Sequence, residues 1–165
     1  MSYVTGLRRI ISGGQTGVDQ AALRAARDCG LEIGGWCPPG RLCEAGVIPA
    51  EFPLRETPDE RSADAPGVPR SQRTEWNVRD SDGTLVIGRT SDEDPGTNWA
   101  IDCAGRYKRP LLICDIEDAD AVRKIEQWIA GNAIKVLSVG GPSESSVRGI
   151  GDKAYVLLRR VFELL

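Results

Sequence analysis

Short apolar runs and helical patterns alternate along the whole chain, and that alternation leaves few folds open. Candidate strands are Arg9–Ser12, Glu32–Trp36, Thr84–Ile87, Leu111–Cys114 and Lys135–Val139. Helical spacing of apolar residues runs over Gly17–Cys29, Ser71–Arg79, Thr97–Tyr107, Ala119–Ala130 and Asp152–Leu164. In the first helix Val18, Ala22, Ala25 and Cys29 form the stripe, and Gly30 is the stop signal. A stripe made mostly of alanine lets a helix lie close against a sheet. The alternation predicts a Rossmann-like, doubly wound α/β fold: a mostly parallel sheet of about five strands with helices on both faces. Right-handed crossovers then place every strand-to-helix loop on one edge, and ligands of open α/β sheets bind there, near the switch point in strand order.

A length of 165 residues suits one such domain, residues 1–165. One stretch breaks the rhythm. Residues 37–70 hold seven of the ten prolines, at positions 38, 39, 49, 53, 58, 66 and 69. Proline on that scale excludes both helix and central strand, so the stretch reads as a Pro-rich loop insertion bordering the ligand edge. Its charged, Ala- and Pro-rich part, Asp59–Val68, is expected to be a mobile excursion.

Charge and composition exclude several functions. Lys and Arg number 21 against 24 Asp and Glu, a net charge of −3, which fits neither a nucleic-acid polycation nor a basic membrane binder. The chain has no histidine, so a Ser-His-Asp triad, a His-activated cysteine and an H-E-x-x-H zinc site are impossible within it. Its five cysteines stand at 29, 37, 43, 103 and 114 with no C-x-x-C pair. Free thiols, no apolar leader and no apolar run near the roughly 20 residues of a membrane span predict a soluble, cytoplasmic protein. Cys29, Cys103 and Cys114 lie on element patterns and read as core. Cys37 and Cys43 flank Arg41 and have two readings, soft metal ligands or small buried residues.

Three loops fall on the predicted ligand edge. Ser12-Gly13-Gly14-Gln15-Thr16-Gly17-Val18-Asp19 follows the first strand and opens the first helix. Glycines and a helix N-terminus suit a phosphate, although the spacing is neither G-x-G-x-x-G nor that of an NTPase loop. The same residues also read as a tight turn with Thr16 as N-cap and Asp19 as its capping-box partner. Asp92-Glu93-Asp94-Pro95-Gly96-Thr97-Asn98-Trp99 follows the third strand, with Gly96 and Thr97 at the start of a helix behind an acidic, solvated run. Gly140-Gly141-Pro142-Ser143-Glu144-Ser145-Ser146 follows the last, and its hydroxyls and carboxylate serve either ligand polar edges or helix caps. Arg73, Asn77 and Asp80 share a helix face that reads as exposed and self-paired. Trp36 and Trp99 adjoin ligand loops and are the candidate stacking platforms, whereas Trp76 and Trp128 read as core. Arg41 is the candidate positive charge.

These blocks carry a family resemblance. G-G-Q-T-G-V-D-Q-A-A-L at 13–23, G-G-W-C-P-P-G-R at 34–41 and A-G-V-I-P-A-E-F-P-L-R-E at 45–56 resemble the molybdenum-cofactor carrier family. R-T-E-W-N-V-R-D-S-D-G-T-L-V-I at 73–87 and G-G-P-S-E-S at 140–145 continue it in order. The family is one of the Rossmann-like nucleotide-binding proteins that include the lonely-guy phosphoribohydrolases. The resemblance implies a carrier or storage protein for molybdenum cofactor, a phosphate-bearing pterin with a dithiolene-held metal. It also implies a homo-oligomer, dimer or tetramer, with molybdoenzymes as recipients.

On this reading Gly14, Gln15, Thr16 and Gly17 hold the phosphate, Gly13 belongs to the same site and Asp19 fixes the turn. Arg41 neutralises charge, and Trp36, Arg73, Gly96, Thr97, Gly141, Ser143, Glu144 and Ser145 complete the site. The chain departs from relatives in having Pro95-Gly96 for two glycines and Ser143 for a basic residue. The phosphoribohydrolase signature P-G-G-x-G-T-x-x-E asks for a glutamate where Ala100 stands, which argues against hydrolysis. The alternatives are an enzyme acting on nucleotides or nucleosides, with Asp19, Asp82 or Glu144 as acid or base, and a nucleotide-sensing module.

Overall fold

The computed structural model describes residues 6–88 and 95–165. In chain order the elements are β1 (Arg9–Ile11), α1 (Val18–Asp28), β2 (Glu32–Gly34), β3 (Trp36–Cys37), β4 (Leu42–Cys43), β5 (Gly46–Val47), β6 (Arg55–Glu56) and α2 (Ser71–Arg79). Then follow β7 (Gly83–Ile87), α3 (Pro95–Arg106), β8 (Leu111–Cys114), α4 (Ala121–Gly131), β9 (Val136–Gly140) and α5 (Ile150–Leu164). Five strands form one parallel sheet in the order β2-β1-β9-β7-β8. The α/β class, the five-stranded parallel sheet and the five helices agree with the sequence pattern.

Alternation along the strands divides the apolar residues between two layers. Ile10, Leu85, Ile87, Leu137, Val139 and Cys114 point to one face and form the main core with α1, α4 and α5. Ala21, Ala22, Ala25 and Ala26 of α1 are all fully buried, so α1 packs closely against α5 and the sheet. On the other face, Val78 of α2 packs with Trp99, Cys103 and Ala104 of α3 in a smaller cluster. Every residue of β7 is buried, as befits a central strand covered on both sides.

Two departures from the sequence pattern have local causes. Glu32–Trp36 is not one strand. Gly35 adopts φ +124°, and a Cβ there would lie 2.5 Å from the Ser12 carbonyl oxygen, so the chain leaves the sheet after Gly34. Trp36–Cys37 then pairs in parallel with Arg55–Glu56, a contact between distant residues that no local pattern announces. Asp59–Val68 is not a free excursion either. The Asp59 N–H donates to Gln72 Oε1 at 2.8 Å, the Ser62 N–H donates to Ser71 Oγ at 2.8 Å, and Ala65 is buried beside Val78 and Trp99. The segment is fastened to α2.

The rest of the insertion encloses its own core of Cys37, Cys43, Ile48, Phe52 and Leu54 against Leu23 of α1. Both cysteines are buried there, and burial pushes the Cys37 thiol up. Cys103 and Cys114 are buried and Cys29 packs against the main core; burial drives the Cys103 thiol up to about 12. Among the described residues no helix is long and apolar enough to cross a membrane.

Candidate functional site

The last strand, β9, lies between β1 and β7, so the chain leaves the sheet's centre in opposite directions on its two sides. Numbered from β9 instead of β1, the same order reads 3-2-1-4-5, that of a doubly wound nucleotide-binding sheet. The switch point therefore falls between β9 and β7. A cleft opens there at the C-terminal ends of the strands, between α2 and α3, with a volume of about 70 Å³. Thr84, Val86 and Ser138 form its floor; Arg73 and Asn77, Gly96 and Thr97, and Gly13 with Gly140–Gly141 form its walls.

Among the described residues, Arg73 is the cation that lines this cleft. A Cβ on Gly13 would lie 2.4 Å from its guanidinium, so glycine lets the side chain lie flat on the first loop. Its Nη1 is 3.4 Å from Asp19 Oδ2. Asp19 is 2% exposed and also accepts the Gln15 N–H at 3.2 Å, fixing the loop. Burial pushes the Asp19 carboxyl up, against the pull of Arg73 and the Gln15 N–H. Asn77, read from the sequence as part of an exposed face, is buried: it exchanges two hydrogen bonds with the Trp36 backbone, at 2.8 and 3.0 Å.

Of the residues singled out in the sequence, Gly13, Arg73, Gly96, Thr97 and Gly141 line the cleft. Others lie elsewhere. Gly14 is roofed by the insertion, where a Cβ would lie 2.5 Å from Leu54 Cδ1 and 2.9 Å from Ile48 Cδ1. Gln15 is buried and donates to the Leu42 carbonyl at 3.0 Å. Thr16 is not the N-cap of α1; Gly17 is, without a side-chain cap. The Thr16 hydroxyl instead donates to Glu44 and accepts the Glu144 N–H at 3.1 Å. Glu44 also receives the Ser145 N–H at 3.1 Å and the Ser145 hydroxyl. These donors hold its carboxyl below the ordinary range. Glu44 thus clasps three loops, a role invisible in the sequence because its partners are remote. Ser143 shares its hydroxyl with Ser145 and Ser146 on the exposed loop. Thr16, Gly17, Glu144 and Ser145 border a separate, wider groove of about 620 Å³ over the starts of α1 and α5.

Trp36 and Arg41 lie away from the cleft. The Trp36 indole donates to Asp80 at 2.8 Å and meets Trp76 edge-on at 4.8 Å. It lines a third cavity with Arg9 and Arg55, not the cleft. Trp99 is also no platform, since it is 4% exposed and donates to the Ser71 carbonyl. Arg41 is turned into the insertion, donating to the carbonyls of Leu54 at 3.1 Å, Pro49 at 3.0 Å and Phe52 at 2.9 Å. It organises the loop. Arg41→Met should leave these carbonyls without a donor and destabilise the protein by about 2 kcal/mol. Arg41→Lys should recover little of that, because one ammonium cannot span three carbonyls. Urea unfolding and limited proteolysis across residues 42–56 measure both effects.

The three carboxylates considered as acid or base lie outside the cleft. Asp82 accepts the Lys135 and Val136 N–H groups at 3.1 and 2.9 Å, at the opposite end of β9. Asp19 sits behind Arg73, and Glu144 accepts the Gly149 N–H at 3.0 Å. Ala100 contributes a methyl group to the cleft wall. Among the described residues no carboxylate lines the cleft. The acidic run Asp92–Asp94 lies outside the described residues.

Residues 10–162 match the family described as circularly permutated YpsA SLOG. The chain belongs to that family. The strand order of this SLOG protein carries the permutation in the sheet itself, since starting the count at β9 restores the usual doubly wound order. A crystal structure described as that of a "Putative molybdenum carrier protein" from Syntrophus aciditrophicus SB is similar, with 36% identity and a TM-score of 0.83. The similarity covers 95% of this chain and 96% of that one. No curated protein matches. The resemblance met in the sequence therefore holds at the level of family and fold.

The cleft residues fit one end of the implied ligand. A guanidinium, glycine backbone and hydroxyls suit a phosphate oxyanion. About 70 Å³ is room for a phosphoryl group, well short of the roughly 300 Å³ or more of a typical small-molecule pocket.

Proposed function

We propose that this SLOG protein is a non-catalytic carrier of a phosphate-bearing, nucleotide-like ligand, with molybdenum cofactor as its cargo. The observation that carries this reading is Arg73, laid on Gly13 and held by Asp19 at the switch-point cleft, where no described lining residue is acidic. The described walls carry a guanidinium and no carboxylate, which favours an anion's residence and supplies no general base from those walls. The likeness to a protein described as a molybdenum carrier supports the choice of cargo. Carriage to molybdoenzymes and assembly as a homo-oligomer belong to the same reading.

The test is the composition of protein purified without oxygen and then denatured. Pterin fluorescence after oxidation and elemental analysis should give pterin and molybdenum near one per chain. A bound nucleotide without pterin would overturn the cargo and favour the nucleotide-sensing alternative. Release of free base from supplied nucleoside monophosphates would overturn the non-catalytic reading.

A further inference from the structure

Among the described residues, two buried side-chain oxygens have no hydrogen-bond partner: Thr84 Oγ1 and Glu144 Oε2. The Glu144 carboxylate has an outlet, because its other oxygen accepts the Gly149 N–H. Thr84 has none. It is 2% exposed, sits in the fully buried strand β7, and lines the switch-point cleft. The residues after it are Leu85, Val86 and Ile87, so a valine would suit the strand and remove an unsatisfied hydroxyl. A buried hydroxyl without a partner destabilises a fold, and such groups are rare enough to call for a cause.

Its surroundings supply one. Thr84 is in register with Ser138 of β9, itself 4% exposed, so two hydroxyl residues stand side by side on the cleft floor. Arg73, Gly96 and Thr97 line the same cleft, and a guanidinium suits a phosphate oxygen. The space, about 70 Å³, gives room for a phosphoryl group. We infer that the ligand enters this cleft phosphate first, and that the Thr84 hydroxyl donates to a phosphate oxygen at the floor. The ring system then faces outward. This rests on the binding reading of the cleft and adds the ligand's orientation and a contact residue.

The experiment uses inorganic phosphate as probe, with Thr84→Val and Thr84→Ser beside the wild type. Calorimetric titration gives the phosphate Kd, and thermal melting without phosphate gives stability. Thr84→Val should melt at or above the wild-type temperature, because no hydrogen bond is lost, and should bind phosphate about tenfold more weakly. Thr84→Ser should keep wild-type affinity to within about threefold, as the hydroxyl remains. Overturning results are a Thr84→Val protein that melts lower or fails to fold, which makes the hydroxyl structural, and one whose phosphate affinity is unchanged. A wild type that binds no phosphate also overturns it. The cargo stands or falls separately: a threonine-dependent phosphate site in protein purified without pterin keeps this inference and removes the carrier reading. Bound pterin with an indifferent Thr84→Val does the reverse.

Discussion

Gly17→Ala should unfold roughly 10 °C below the wild-type protein. Gly17 caps α1 with φ +80° and ψ −125°, a conformation closed to residues with a Cβ. An added Cβ would lie 2.5 Å from the Pro142 carbonyl oxygen and 2.8 Å from the Glu144 nitrogen. Both neighbours are backbone, so no side-chain rotation relieves the overlap. The loops cannot part freely, because the Val18 N–H donates to the Pro142 carbonyl at 3.2 Å and Thr16, Glu44 and Ser145 tie them together. Backbone strain and overpacking together amount to about 4 kcal/mol. At about 2–4 °C per kcal/mol for a chain of this size, that gives the stated shift. A melting temperature within 2 °C of wild type, read by circular dichroism, would contradict the close approach of the two loops.

Asp19→Ala should cost about 3 kcal/mol and should also impair the cleft. The substitution removes the buried acceptor of the Gln15 N–H and the carboxylate beside Arg73. Asp19→Asn separates the two effects. Its amide oxygen can still accept the Gln15 N–H, while the negative charge that positions Arg73 is gone. Asparagine should recover more than half of the lost stability in urea unfolding. Equal losses for alanine and asparagine would mean that the charge dominates, not the loop hydrogen bond.

Gly14 shows how tertiary packing adds a constraint that a local pattern lacks. Its neighbours and its glycine identity suit a phosphate loop, yet the space above it is filled by Ile48 and Leu54 from the insertion. A bulky substitution there therefore damages folding before it reports on binding. The direction of Arg41 is equally hidden from a local pattern. Its position beside Pro39-Gly40 was visible, but the carbonyls of residues 49, 52 and 54 that capture it come together only when the insertion folds. Thr84 and Ser138 left a fainter signal, as single hydroxyl residues in otherwise apolar central strands.

The sequence by itself determined the fold class, the five sheet strands within a few residues and the edge that carries the glycine loops. These follow from short-range periodicity and turn chemistry, which each segment carries alone. It also excluded histidine chemistry outright. The tertiary structure decided the strand order β2-β1-β9-β7-β8 and with it the location of the switch point. It decided, too, that Arg73 and not Arg41 lines the cleft, and that Thr84 does so as well. Strand order depends on which distant surfaces bury most together, and the direction of a long side chain depends on which acceptors reach it. Both are set by contacts between residues far apart in the chain, so no local pattern contains them.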